Sequence, residues 1–131
     1  MTEIPDLWPK QIVETESSIT PFTILKQQAA TLAGKTEGLI EGAVSRRTDD
    51  EGDFWYSFRL VAPTLNYSYE LFAVWHEPVA LYPVHCSFLN QKIECTTEAE
   101  FIEWLKIVFS STETKRVING LLIQAREQVT W

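Results

Sequence analysis

The hydrophobic pattern between residues 39 and 95 constrains the fold of this chain more than any other feature of the sequence. Apolar and polar residues alternate there, and many of the side chains are aromatic or β-branched, as is typical of strands. The breaks between the predicted strands are only two to six residues long. A parallel crossover needs roughly a dozen residues or more, so the sequence predicts antiparallel neighbours in a meander.

The same region divides into four full strands and one short strand. The second of them carries Phe54, Tyr56 and Phe58 on one face and Trp55 and Arg59 on the other, because side chains alternate along a strand. The predicted strands cover residues 39–47, 54–62, 67–76, 80–89 and 92–95.

Helical signals stand on both sides of the strands. Thr20 and Pro21 suit the N-cap and the first position of a helix, and Thr97 with Glu100 forms a capping-box pattern before another. Gly120, inside the last predicted helix, is expected to permit close approach of another backbone. The predicted helices cover residues 21–34, 97–110 and 112–127. The sequence therefore predicts an α+β fold with an N-terminal helix, a four- to five-stranded antiparallel meander and two C-terminal helices.

The chain of 131 residues is long enough for one domain. We therefore expect residues 1–131 to form a single domain, with residues 1–19 as an extended arm because two prolines interrupt helix formation there. Ile4, Leu7 and Trp8 make the arm too apolar for a free tail, so it is expected to lie along the domain or along a neighbouring subunit.

The net charge of −7 limits the classes of partner. Binding of phosphates needs clustered cations, so this charge argues against nucleic acid and suits a basic protein. No apolar stretch reaches the roughly 18 residues that span a bilayer, and the N-terminus does not resemble a signal peptide, so we predict no membrane partner. Two cysteines are too few for a disulfide framework, which favours free thiols and a cytoplasmic location.

The chain has few residues that could bind a metal or perform catalysis. His76, His85, Cys86 and Cys95 do not have the spacing of a zinc site, and the acids at 49–53 lack the order of a calcium loop. We predict a solvated turn for that loop, and neither a metal nor a cofactor. No potential nucleophile has an evident base and orienting group, so we assign no catalytic residues.

Two sets of side chains are candidate binding sites. The first is an aromatic and polar face of the sheet, consisting of Trp55, Arg59, Tyr69, Glu70 and His76. These side chains could instead pair across strands and stabilise the sheet. The second is an anion site at the start of the last helix, where N–H groups and hydroxyls are available, consisting of Ser111, Thr112, Lys115 and Arg116. A solvated helix face is the alternative for this set.

We interpret the chain first as a non-enzymatic protein-interaction module of the immunity-protein or adaptor type, with an acidic surface suited to a basic protein partner. One alternative is a small-molecule or anion-binding domain that uses the sheet face, and another is a small enzyme of unrecognised type. A homodimer is also expected, because the helix at 97–110, the arm and Trp131 present more apolar surface than one small sheet covers.

Overall fold

A computed structural model of the protein describes residues 3–12 and 19–129. In that part of the chain the elements are, in order, α1 (Pro21–Lys35), β1 (Glu41–Thr48), β2 (Phe54–Ala62), a short 3-10 turn (Pro63–Leu65), β3 (Tyr67–His76), β4 (Val84–Phe88), β5 (Gln91–Cys95), α2 (Glu98–Phe109) and α3 (Thr112–Val129). The strands form one antiparallel sheet in the order β1-β2-β3-β4-β5. The predicted α+β fold is confirmed.

The fourth strand differs from the prediction, because it begins at Val84 and not at residue 80. Pro83 comes directly before it and Pro78 lies in the preceding turn. Proline has no backbone N–H to donate to a neighbouring strand, so it is confined to strand ends and edges. The strand can therefore pair only after Pro83.

The helix starts follow the predicted capping residues, with one difference. The backbone N–H of Thr23 donates to the Thr20 hydroxyl at 3.0 Å, and that of Glu100 donates to the Thr97 hydroxyl at 3.1 Å. The Glu100 carboxylate, however, accepts from the backbone N–H of Thr96 at 3.2 Å. The backbone N–H that Glu100 binds is thus that of Thr96, one residue before the N-cap, and not that of Thr97 as the capping box predicts.

All three helices lie on the same face of the sheet. Phe22 of α1 packs on Tyr56, and Phe109 of α2 packs on Phe58, each pair with ring centroids 5.3 Å apart. α3 covers the same face of β2 through Ile118. Burial of each large core side chain stabilises the fold by roughly 1.5–3 kcal/mol. The opposite face of the sheet carries no helix in the part of the chain that the structure describes.

Helix α1 and the sheet approach each other closely at Gly42 of β1. A Cβ atom at this position would lie 2.6 Å from the Cα of Ala29 in α1, nearer than real atoms approach. The prediction for Gly120 is wrong, since a Cβ there would have no atom within 4 Å. The position that lets α1 rest directly on the sheet is therefore Gly42.

The described part of the arm, residues 3–12, contains neither helix nor strand. Its large apolar side chains are exposed and do not pack on the core, namely Ile4, Leu7, Trp8 and Ile12. Residues 13–18 and Trp131 lie outside the described residues. Among the described helices, none is both long and apolar enough to cross a membrane.

Candidate functional site

One row of side chains crosses all five strands on the face opposite the helices. The strand register aligns Arg47, Trp55, Trp75, His85 and Glu94, and we call these five residues the aromatic row. The Trp55 and Trp75 rings stack with centroids 4.3 Å apart and planes 7° from parallel. Arg47 lies over the outer face of Trp55, with its guanidinium carbon 4.6 Å from the ring centroid, and His85 stacks on the other side of Trp75.

The side chains of the aromatic row already stack on one another. Both faces of the Trp55 and Trp75 rings are covered by neighbours, so a ligand could reach only ring edges. The Trp55 indole N–H is also used, because it donates to the Asp49 carboxylate at 2.6 Å. Stacked aromatic pairs contribute about 0.5–1.5 kcal/mol beyond the area they bury. The geometry therefore favours the stabilising role over a stacking site for a ligand.

Asp49 organises the loop between β1 and β2. Its second carboxylate oxygen accepts from the backbone N–H groups of Glu51 at 2.9 Å and Asp53 at 2.8 Å. The hydrogen bond from the Trp55 indole is the main reason that the pKa of the Asp49 carboxyl lies below its ordinary value. Within residues 3–12 and 19–129, no cluster of three or more acidic, histidine or cysteine side chains could hold a metal ion.

The structure separates the residues predicted for the sheet face. Trp55, Arg59 and Glu70 lie on the open face, and Arg59 donates to the Ser68 hydroxyl at 2.6 and 2.9 Å. Tyr69 pairs with the buried Leu60 and therefore lies on the helix side.

His76 lies on the helix side as well, although it was expected to share a face with Glu70. A β-bulge at Leu71, where Phe72 pairs with Phe58 and Glu70 with Arg59, reverses the alternation along β3. His76 is buried, its ring packs against Tyr56, and its Nδ1 lies 2.7 Å from the carbonyl oxygen of Glu77. The five residues therefore do not form one site.

The predicted anion site is largely occupied by bonds within its own helix. The Ser111 hydroxyl accepts from the backbone N–H of Thr114 at 3.2 Å and thus caps α3. Arg116 donates through two nitrogens to the Glu113 carboxylate, and the hydrogen bond lowers the pKa of Glu113. Thr112 and Lys115 are exposed. Bound anions would have to compete with Glu113 for Arg116.

Cys86 and Cys95 lie on adjacent strands in the core, with their sulfur atoms 3.9 Å apart. Burial is the main reason that the pKa of both thiols is raised above the ordinary value. The neutral thiol is a poor nucleophile, so these cysteines are shielded both chemically and sterically.

We expect neither cysteine to react with iodoacetamide at pH 8 while the protein is folded, because the pKa of each thiol is raised and each sulfur is buried. Mass spectrometry after alkylation should show two added groups in urea and none in buffer. Rapid labelling of the folded protein would contradict this prediction.

Replacing either cysteine by alanine should lower the free energy of unfolding by about 1–3 kcal/mol, as for an ordinary core substitution. EDTA should leave the melting temperature unchanged.

An apolar groove, which sequence reasoning did not locate, runs between β5 and α2. Its apolar side chains include Ile93 of β5 and Ile107 of α2, which are 45% and 68% exposed, and Trp104 forms its floor. Two adjoining depressions of about 360 and 320 Å³ make up this surface, which we call the edge groove. A signal did exist in the sequence, since Glu103 and Lys106 are the only polar residues at 101–109.

Carboxylates border the edge groove. Glu100 and Glu103 of α2 line it, and Glu94 of β5 lies at its edge, with its side chain beside His85 on the opposite face of the sheet. Apolar residues rimmed by charge are typical of protein-binding surfaces. No protein-family model, no curated protein and no solved structure matches this chain.

Proposed function

We propose that this protein is a non-enzymatic interaction module of the immunity-protein or adaptor type that binds a basic, extended segment of a protein partner along the edge groove. The observation that carries the proposal is the combination, at one edge of the sheet, of a strand that has one neighbouring strand within the described residues, exposed apolar side chains and a rim of carboxylates. The proposal places the protein in the cytoplasm, with no nucleic acid among its partners.

The strand edge supports an extended partner. β5 ends the sheet, and within the described residues its outer backbone groups pair with no further strand. A peptide that adds to such an edge gains main-chain hydrogen bonds, and its alternate side chains then point to the two faces of the sheet. On the helix side those side chains would meet Ile93, Trp104 and Ile107.

The local charge supports a basic partner. Residues 91–109 contain four glutamates and two lysines, and since Lys106 pairs with Glu103 at 3.1 Å, three glutamates and one lysine are left outside that pair. Complementary charge across an interface accelerates association and excludes partners of like charge. The whole chain, at −7, repels acidic proteins in the same way.

Two eight-residue peptides, in which valine alternates with lysine or with glutamate, provide a direct test. We expect the lysine peptide to shift the amide resonances of β5 and α2 in an NMR titration. These shifts should become smaller as salt is raised, because salt screens the attraction between the charges. The glutamate peptide should cause no shift. Equal shifts from both peptides, or shifts confined to other elements, would refute the proposal.

The residue to replace is Ile107, because an aspartate there removes the apolar contact and sets a carboxylate against the valine side chains of the peptide, with little folding cost at an exposed position. The matched control is Ile123→Asp on α3, where the side chain is also exposed but lies outside the groove. Ile107→Asp should abolish the shifts, whereas Ile123→Asp should leave them unchanged.

A second copy of the chain is the competing occupant, since the sequence predicts a homodimer. Light scattering at micromolar concentration separates the two cases. A 15 kDa species that binds the lysine peptide supports the proposal. A dimer that Ile107→Asp dissociates would assign the edge groove to self-association and overturn it.

A further inference from the structure

A cavity of about 230 Å³ lies between α1, α3 and the sheet, away from the edge groove. Its apolar lining consists of Leu32, Phe58, Leu60, Leu71, Phe109 and Ile118. A cavity of about 150 Å³ accommodates a benzene ring, so this one has room for a ring with a short substituent or for a short alkyl chain.

One side of the cavity mouth is polar. Gln28, Thr31 and Lys35 line it from a single face of α1, at the helical spacings of three and four residues. The Thr31 hydroxyl donates to the carbonyl oxygen of Gln28 at 2.9 Å. In the described ranges the side chains of Gln28 and Lys35 have no hydrogen bond, ion pair or ring contact.

The free groups at the mouth favour an anion. Lys35 supplies a cation and Gln28 supplies amide N–H donors, so a carboxylate could accept from both. Lys35 also lies in the last turn of α1, where the helix dipole is negative and disfavours a doubly charged group such as phosphate. The dipole opposes a single negative charge less than a double one, so a carboxylate is favoured over phosphate at this position.

We propose that this cavity binds a small amphipathic carboxylate, with its apolar part on Phe58, Leu60 and Leu71 and its carboxylate at Lys35 and Gln28. The site is separate from the edge groove, since its lining comes from α1, β2, β3, α3 and Phe109 at the end of α2, and it shares no residue with the groove. Either proposal can therefore fail without the other.

Octanoate is the probe, with octylamine and octanol as matched compounds of the same chain length. Isothermal titration calorimetry should show octanoate binding at least about tenfold more tightly than octanol, because a charge-assisted hydrogen bond is stronger than a neutral one. Octylamine should bind more weakly still. NMR shifts should include the methyl groups of Leu60 and Leu71.

Two variants of α1 test the role of the cation. Lys35→Gln should lower octanoate affinity about tenfold and leave octanol affinity unchanged. Lys26→Gln is the control, because Lys26 lies on the same helix over the Phe22 ring and outside the cavity.

A third variant tests the cavity itself. Ile118→Phe should fill it and abolish octanoate binding, with circular dichroism as the check on folding. If that variant does not fold, Lys35→Gln decides the matter. Equal binding of octanoate and octanol, unchanged affinity in Lys35→Gln, or no shift at Leu71 would each overturn the proposal.

Discussion

Replacing Gly42 by alanine is expected to destabilise the protein by at least about 1–3 kcal/mol, the usual cost of inserting a methyl group into a packed core. The new Cβ would lie 2.6 Å from the Cα of Ala29 and 3.0 Å from its carbonyl oxygen. Since these are backbone atoms, no side-chain rotation relieves the clash. Either α1 must lift from the sheet or β1 must shift, and both movements disturb the neighbouring core.

The matched control is Gly120→Ala, which adds the same methyl group at an exposed helical position. A Cβ there meets no atom within 4 Å, and alanine favours helix over glycine by about 0.5–1 kcal/mol. Urea unfolding should therefore give opposite changes in the free energy of unfolding for the two variants. If Gly42→Ala proved neutral, the described contact between α1 and β1 would be wrong.

Thr36→Val is expected to destabilise the protein by about as much as Gly42→Ala. Thr36 follows α1 and is buried, with only 4% of its surface exposed. Its hydroxyl accepts from the backbone N–H of Ile40 at 3.0 Å and lies 2.8 Å from the carbonyl oxygen of the same residue. Valine has nearly the same shape but no hydroxyl, so it leaves a buried N–H without a partner, at about 1–3 kcal/mol.

Thr36→Ser supplies the control, because serine keeps the hydroxyl and removes only a methyl group. We expect thermal unfolding to show a clearly smaller loss of stability for serine than for valine. Hydrogen exchange of the Ile40 amide should accelerate in Thr36→Val and change little in Thr36→Ser. Equal losses in the two variants would mean that packing, and not the hydroxyl, holds this connection together.

The order of helices and strands was predictable because it depends on local patterns. The alternation in residues 54–62 and the short connections determine an antiparallel meander without knowledge of distant contacts. The helix starts were predictable for the same reason, since the bonds at Thr20 and Thr97 reach only three residues along the chain.

The sites were harder to predict because they depend on which residues become neighbours in space. The bulge at Leu71 moves His76 to the face opposite Arg59, and nothing in the local sequence marks it. Gly42 and Gly120 each lie inside a predicted strand or helix, but only Gly42 is in close contact with another element. The cavity near Lys35 likewise results from the arrangement of two helices that are distant in the chain.

The meander also has a consequence for how the sheet forms during folding. Each strand after β1 pairs with the strand directly before it in the chain, so each hairpin closes a short loop at low entropic cost. The sheet can therefore grow by successive additions from β1, with each new edge serving as the template for the next strand. β5 is the edge at which this series stops, and a partner segment bound there would form a sixth strand.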